Sequence, residues 1–287
     1  MQALTADESF LSQRGGGQVE QVFTHAVNLL IPGKPGLLTL LCETSDNAPN
    51  SCRLALTHFD NLLRPGESVR FTDSGIYIGD NTWIDIHRCE RWQTPQAVLN
   101  AATFSQIAWR RWRDIIVTQL HEDDTLFLYR GDNPFYHAMR HELQQRRETL
   151  FKALGENKNI SAAVANMIGL GIGLTPSADD YLLGLIVILF IKGHPANQYR
   201  EAFITALQSA RQNTTPLSAI TLEAAINQRY RESIAVLINL MVNQPTTFSI
   251  EAIADIKNIG SSSGSDMLLG MADACALSQT YGGNNVS

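Results

Sequence analysis

The sequence predicts an α+β protein in which an N-terminal antiparallel β meander or small barrel precedes a mainly α-helical domain. Before about residue 95, β-branched and aromatic residues recur near period two between turn-forming residues, which is typical of short strands. After it, apolar residues recur three or four positions apart, which indicates amphipathic helices. The chain has 287 residues, 44% of them apolar, which is enough for two packed cores. We therefore place a β-rich domain at residues 1–95 and a helical domain at residues 96–287.

The first part of the chain reads as short strands separated by turns. Residues 32–35, Pro-Gly-Lys-Pro, predict a turn between two strands. Residues 73–75 and 79–81, Asp-Ser-Gly and Gly-Asp-Asn, predict two more. The predicted strands lie at residues 22–31, 36–43, 51–57, 69–71, 76–78 and 83–86. Residues 14–17, Arg-Gly-Gly-Gly, predict a flexible lead-in.

The second part of the chain is predicted to be nearly all helical. The predicted helices cover residues 96–121, 134–154, 160–168, 179–192, 198–212, 218–242, 250–257 and 266–280. A short strand at residues 125–129 is the exception. Trp109 and Trp112 fall on the apolar face of the first helix and the neighbouring arginines on its flank, so we expect both rings to be in the core.

The charge, the hydropathy and the cysteine spacing of the chain argue against several classes of protein. A net charge of −6 and a pI of about 5.6 argue against a nucleic-acid-binding domain and against a polybasic membrane-surface module. The most apolar run, residues 181–191, is much shorter than the roughly 20 residues that span a bilayer. The N-terminus has no apolar signal-peptide core, and no two of the cysteines are in CxxC spacing. We therefore expect a reduced, cytoplasmic protein that binds neither nucleic acid nor membranes.

The richest motif spans residues 169–184 and reads GLGIGLTPSADDYLLG. Its glycines allow a ligand to approach the main chain. Ser177 is predicted to cap the apolar helix that follows, and Asp180 completes a capping-box-like pair. The N-terminus of such a helix carries N–H groups and partial positive charge that can receive an anion. The motif lacks the lysine of a P-loop and the preceding strand and spacing of a dinucleotide fold.

Two interpretations of this motif remain open. In one, the glycine loop only allows close packing around a well-capped core helix. In the other, the loop binds a ligand, and its second acid indicates which kind. One aspartate is enough for a cap, and Asp179 beside Asp180 repels a bare anion. The adjacent acids therefore favour a cation or an amide N–H group.

A second loop has a similar pattern. Residues 259–266 read IGSSSGSD, and the segment Asp266-Met-Leu-Leu-Gly270 matches Asp180-Tyr-Leu-Leu-Gly184. Its hydroxyl and N–H groups suit a carboxylate or a phosphate, although a serine-rich linker with an ordinary cap has the same pattern. A third loop, residues 213–218, forms a cap and turn or closes the same pocket. The candidate substrate-binding residues of this shared pocket are Gly171, Gly173, Thr175, Ser177, Asp179, Asp180, Ser263, Gly264 and Asp266.

The sequence offers no catalytic group by spacing alone. His137 and His141 share one helix face, but the glutamate of the zinc-protease motif is missing, so we expect solvated surface histidines. No Ser/His/Asp or Cys/His arrangement can be recognised. We therefore assign no catalytic residue, no metal site and no cofactor, with Mg²⁺ as the one ion that the paired acids would accept.

Residues 169–184 and 260–270 together resemble the family that includes the third, AllH-type subunit of oxamate carbamoyltransferase. The resemblance extends to residues 22–29 and 215–218, and so over most of the chain. Family members commonly have proline at the position of Ile172 and glycine at that of Ala178. The resemblance implies a cytoplasmic protein that works with FdrA-like partner subunits in purine or ureide nitrogen catabolism. The implied reaction transfers a carbamoyl group between an oxamate-like acceptor and phosphate.

Two functions from different classes follow. The first is a subunit of a multi-subunit carbamoyltransferase that contributes a small-anion pocket. Carbamoyl phosphate and oxamate are small anions with amide N–H groups, so helix N-termini and serines would hold the anionic part and carboxylates the amide. The second is a non-catalytic scaffold or regulatory subunit that binds FdrA-like partners, with both loops acting only as helix caps.

Overall fold

The computed structural model describes residues 1–282. It divides into two compact units. The first contains residues 1–94 together with residues 229–232, and the second contains residues 95–228 and the described chain from residue 233 onward. Within the described residues, no helix is both long enough and apolar enough to cross a membrane.

The first unit is built on a curled, mixed sheet, to which the described chain contributes nine strands. The strands are β1 Ala3–Asp7, β2 Gly15–Val22, β3 Ala26–Leu30, β4 Leu37–Leu41, β5 Ser51–Leu54, β6 Ser68–Phe71, β7 Gly75–Ile78, β8 Thr82–Asp85 and β9 Glu90–Trp92, with helix α1 at Glu8–Leu11. Their order is β8-β7-β6-β2-β3-β4-β5-β1-β9. Most neighbours are antiparallel, but β4 with β5 and β1 with β9 are parallel. With the helices that follow, this confirms the predicted α+β class.

Two details of the predicted strands are wrong. Residues 15–17 belong to β2, where they pair with Val69–Phe71 of β6. A Cβ atom on Gly17 would lie 2.4 Å from the carbonyl oxygen of Leu30, so the glycine is needed for the close approach of β3. The predicted strand at residues 22–31 is split, because the chain reverses after β2 and returns as β3, with Phe23 N–H donating to Ala26 O.

Residues 229–232 complete the first unit by pairing with its acidic groups. Arg229 Nη2 donates to Asp7 Oδ2 at 2.6 Å, and that carboxylate also caps α1. Arg231 Nε donates to Asp46 Oδ1 at 2.8 Å. Asp7 is buried, and its carboxylate is paired with Arg229 and with the backbone N–H of Asn50, which donates to the same oxygen.

The second unit is helical. Its helices are α2 Ala101–Gln106, α3 Trp109–Thr118, α4 Pro134–Glu156, α5 Ile160–Met167, α6 Ser177–Leu189, α7 Arg200–Ala210, α8 Pro216–Ile226, α9 Glu232–Asn243, α10 Ile250–Lys257 and α11 Ser263–Gly282, with 3-10 turns at Pro195–Tyr199 and Arg211–Asn213. Every residue of α6 is buried, and α11 packs mainly against α6 and α3. Trp109 and Trp112 are buried as expected.

The structure corrects three predicted elements of this unit. The helix expected at residues 96–121 is two helices, since Asn100 and Thr103 form a capping box that starts α2 and the backbone of Ile107 is extended. The helix expected at residues 218–242 is also two, α8 and α9, which are separated by the segment that joins the first unit. Residues 125–129 form a turn instead of a strand.

Helices α6 and α11 touch through glycines at equivalent positions. A Cβ atom on Gly184 would lie 1.9 Å from the carbonyl oxygen of Met267, and one on Gly270 would lie 2.0 Å from that of Tyr181. Tyr181 and Met267 follow Asp180 and Asp266, so the two Asp-x-Leu-Leu-Gly segments contact each other reciprocally. The sequence repeat is therefore a helix pair, and it brings the first turns of both helices together.

Candidate functional site

The first side of the site is the glycine loop before α6. Gly169 and Gly171 have φ values of 83° and 135°, which favour glycine. A Cβ atom on Gly169 would lie 1.9 Å from Asn213 O, and one on Gly171 would lie 2.4 Å from Ser177 N. Gly173 is also at positive φ but lies in open space. The first two glycines therefore fold the loop tightly against the start of α6 and against the third loop.

The predicted cap of α6 is wrong. Ser177 is the first residue of the helix, and Pro176 takes the capping position without a side-chain hydrogen bond. The main chain does the capping instead: Ala178 N–H donates to Leu170 O at 2.9 Å, and Asp179 N–H donates to Pro176 O at 2.9 Å. The backbone N–H groups at the start of α6, where the sequence predicts an anion site, therefore donate largely to carbonyl groups of the chain itself.

Asp179 joins the first loop to the third. Its Oδ1 accepts from Gly169 N–H at 2.8 Å, and its Oδ2 accepts from the Thr214 hydroxyl. Burial raises the pKa of Asp179, and these hydrogen bonds oppose the rise by favouring the charged form. Thr215 Oγ1 also donates to Leu174 O at 2.6 Å. With both carboxylate oxygens in use, Asp179 holds the loops together and has little left to offer a ligand.

The second loop meets the first at two hydroxyl groups. Thr175 Oγ1 and Ser263 Oγ are 2.8 Å apart, and either can donate. Both hydroxyls also hydrogen-bond to Asp180. Gly264 faces elsewhere, since its N–H donates to Ile259 O at 2.9 Å and a Cβ atom there would lie 1.9 Å from Ile256 O. Thr175 and Ser263 therefore line the site beside Asp180, whereas Gly264 allows α10 to pack.

Asp180 and Asp266 are the unusual groups of the site. They are 4% and 0% exposed, and the Oδ2 atom of each has no hydrogen-bond partner in the described chain. Burial raises the pKa of Asp180 to about 7, against the opposing effect of the Ser263 and Thr175 hydroxyls. Burial likewise raises the pKa of Asp266 to about 8, and the charge of nearby Asp180 raises it further. Burial therefore favours the protonated form of each acid and brings its titration close to neutral pH.

The surroundings of Asp266 come from distant parts of the chain. The Thr125 hydroxyl donates to Asp266 Oδ1, and the Ser177 side chain hydrogen-bonds to the same carboxyl group. Sequence reasoning missed Thr125, because a single threonine in a turn carries no spacing signal, and it named Thr214 only as part of the third loop. Ser177 was predicted as a site residue for a cap that it does not form, and its observed role is this contact with Asp266.

A partly buried ion pair lies next to the site and was also missed. Arg147 binds Asp273 through two hydrogen bonds, at 2.6 and 2.8 Å, and the Tyr181 hydroxyl donates to Asp273 at 2.6 Å. These residues join α4, α6 and α11. Because Tyr181 follows Asp180, the pair fixes the part of α6 that carries the site.

The histidines do not contribute to the site. His194 is buried, with Nδ1 accepting from Ala196 N–H at 3.0 Å and Nε2 bonded to Ser278 Oγ at 2.9 Å. Burial lowers its pKa to about 3, so it is a neutral core group. His137 and His141 are exposed, as expected. No set of three or more histidine, cysteine, aspartate or glutamate side chains within residues 1–282 is placed to hold a metal ion.

The site as a whole is rich in hydrogen-bond acceptors. It combines three buried carboxyl groups with five hydroxyl groups, from Thr125, Thr175, Ser177, Thr214 and Ser263. None of these acids takes part in an ion pair among the described residues. Such a site is suited to binding N–H donors and to keeping or releasing protons near neutral pH.

Comparison with known families identifies the class of protein. The family model described as oxamate carbamoyltransferase subunit AllH matches residues 167–275, which include both the glycine loop and the second loop. The model of the AllH family N-terminal domain matches residues 2–91. No solved structure gives a significant match. The two models define a class of carbamoyltransferase subunits, and this chain belongs to the AllH family, which confirms the resemblance seen in the motifs.

Proposed function

We propose that this chain is the AllH-type subunit of a cytoplasmic, multi-subunit carbamoyltransferase of purine or ureide nitrogen catabolism. The enzyme transfers a carbamoyl group between an oxamate-like acceptor and phosphate, with carbamoyl phosphate as the phosphorylated partner. This subunit works with FdrA-like partner subunits and contributes the pocket where the glycine loop meets the second loop. It brings no cofactor of its own.

The observation that carries the proposal is the convergence of the two family motifs at one place. Thr175 and Ser263 lie 2.8 Å apart although they are far apart in the sequence, and Asp180 and Asp266 lie beside them. Both loops fall inside the matched family region. Small anions with an amide group fit this combination, since hydroxyl groups can donate to the anionic part and carboxyl oxygens can accept from the amide.

The proposal is tested by reconstitution. The chain is co-expressed with FdrA-like subunits, the complex is purified, and carbamoylation of oxamate by carbamoyl phosphate is followed as phosphate release. We expect activity from the complex and its loss when this chain is omitted. Partner subunits that fold but form no complex and show no turnover with the chain would contradict the proposal.

A scaffold or regulatory role is the competing function. The paired N–H groups at the start of α6 favour it, because a helix N-terminus that is capped by its own loop has less to offer an anion. Thermal unfolding of the full chain with oxamate, carbamoyl phosphate, phosphate or Mg²⁺ separates the two. A ligand that binds the folded chain raises its midpoint, whereas a scaffold without a pocket shows no change with any of them.

A further inference from the structure

We propose that Asp180 and Asp266 form an amide-recognition pair, which binds the –NH₂ group of the carbamoyl substrate and excludes analogues that carry a methyl group in its place. The inference rests on the proposed function and names the group that the site selects. Oxamate and carbamoyl phosphate share this –CO–NH₂ end, whereas their anionic ends differ.

Each of the two aspartates has one carboxyl oxygen that is free to accept a hydrogen bond. Asp266 already accepts from Thr125 through Oδ1 and has the Ser177 side chain beside it, and Asp180 has the hydroxyls of Thr175 and Ser263 beside it. One oxygen, Oδ2, is left over on each residue, buried and without a partner. A buried acceptor without a donor is costly, so a ligand that supplies donors to both is favoured. A primary amide has two N–H bonds.

The second step concerns charge. A small anion gains nothing from a carboxylate, and no cationic side chain pairs with Asp179, Asp180 or Asp266 in the described chain. The acids therefore do not face the anionic end of the substrate. A neutral –NH₂ group avoids this repulsion and can donate to a carboxyl oxygen, which keeps acceptor capacity in both the ionised and the protonated acid.

The third step concerns access. Both unpaired oxygens are closed off from solvent, and the loop beside them is held by the hydrogen bonds of Thr175 with Ser263 and of Thr215 with Leu174. Ile172 and Leu174 of this loop are exposed, and Gly173 lies in open space. Binding of a substrate at the pair therefore requires this loop to move.

The consequence is a sharp preference between isosteres. Pyruvate has the size and charge of oxamate with a methyl group for the –NH₂ group, and acetyl phosphate relates to carbamoyl phosphate in the same way. Sites built to hydrogen-bond a substrate N–H group reject analogues without it by large factors, because their own acceptors then stay unpaired. We expect the wild-type complex to bind oxamate at least about 100-fold more tightly than pyruvate.

The test is isothermal titration of the complete complex with oxamate, pyruvate, carbamoyl phosphate and acetyl phosphate, with and without Mg²⁺. Asp180→Asn and Asp266→Asn replace the open acceptor with a donor. Both should weaken oxamate binding at least about tenfold and leave pyruvate binding unchanged. Asp255→Asn is the matched control, since Asp255 is an exposed helix residue. Circular dichroism checks that each variant is folded.

The outcomes separate this inference from the proposed function. If neither oxamate nor carbamoyl phosphate binds the complex, the proposed function fails and the inference fails with it. If both bind but pyruvate and acetyl phosphate bind within threefold of them, only the amide-recognition pair is overturned. Discrimination that appears only with Mg²⁺ also overturns it, because the ion would then contact the acids. The wild-type comparison decides the matter even if a variant does not fold.

Discussion

Replacing Asp266 with asparagine should remove much of the pH dependence of the chain's stability. In the folded chain, burial raises the pKa of Asp266 to about 8, and the unfolded chain has the ordinary value of 3.8. Between these values the folded state holds a proton that the unfolded state has lost. The free energy of unfolding of the wild type therefore falls as pH rises through this window, and the contribution is fully lost above about pH 8.

The size of this effect follows from the two pKa values. A rise from 3.8 to about 8 corresponds to roughly 6 kcal/mol of tighter proton binding in the folded chain. Between pH 5 and pH 8.5 the titration of Asp266 alone should lower the free energy of unfolding of the wild type by roughly 2–4 kcal/mol. In Asp266→Asn the side-chain oxygen can still accept from Thr125, and the side chain does not titrate. The free energy of unfolding of the variant should therefore fall less over this pH range. Asp180 titrates in the same direction in both proteins, so the comparison reports Asp266 together with its interaction with Asp180.

Urea unfolding of wild type, Asp266→Asn and the control Asp255→Asn at intervals between pH 5 and pH 8.5 measures the difference. The curves of wild type and Asp255→Asn should run together, and that of Asp266→Asn should be flatter. Parallel curves for all three would refute the reasoning, because Asp266 would then be ionised in the folded chain at no cost.

Further predictions concern the packing around the site. Gly184→Ala and Gly270→Ala should each lower the free energy of unfolding by about 3 kcal/mol, because the new Cβ atoms would meet main-chain oxygens at 1.9 and 2.0 Å. Gly155→Ala, at an exposed helical position with open space, should instead raise the free energy of unfolding by roughly 0.5 kcal/mol. If urea unfolding showed the same effect for all three variants, the close contact of α6 with α11 would be contradicted. Arg147→Met leaves the Asp273 carboxylate without its partner and should cost about 3 kcal/mol; a variant as stable as wild type would show that the pair adds no stability.

The convergence of the two loops was predictable because the sequence repeats itself. The Asp-x-Leu-Leu-Gly segments gave Asp180 and Asp266 equivalent positions, and the glycines at their ends allow the helices to touch. The individual threonines that bind Asp266 and Asp179 were not predictable. Thr125 reaches Asp266 across 141 residues, and Thr214 reaches Asp179 across 35 residues. Such contacts depend on tertiary packing, which local spacing does not encode.

The wrong element boundaries have local causes that differ from place to place. The apolar spacing of residues 96–121 continues across Ile107, so it conceals the break, although Asn100 with Thr103 was a readable start signal. Residues 15–17 form a strand without any residue that favours strands, because they pair with β6 and Gly17 allows the close approach of Leu30. Ser177 matched the pattern of a cap, but the helix begins at Ser177 itself and the carbonyl of Leu170 accepts from Ala178 N–H in place of a side-chain cap.

The path of the chain means that no single cut produces two intact pieces. A fragment that ends at Thr94 keeps the whole sheet but loses residues 229–232, and buried Asp7 is left without the guanidinium of Arg229. The complementary fragment keeps that segment without the acids that it neutralises. An attempt to express residues 1–94 alone should therefore add a short peptide of residues 229–232 through a linker, or replace Asp7 with a neutral side chain.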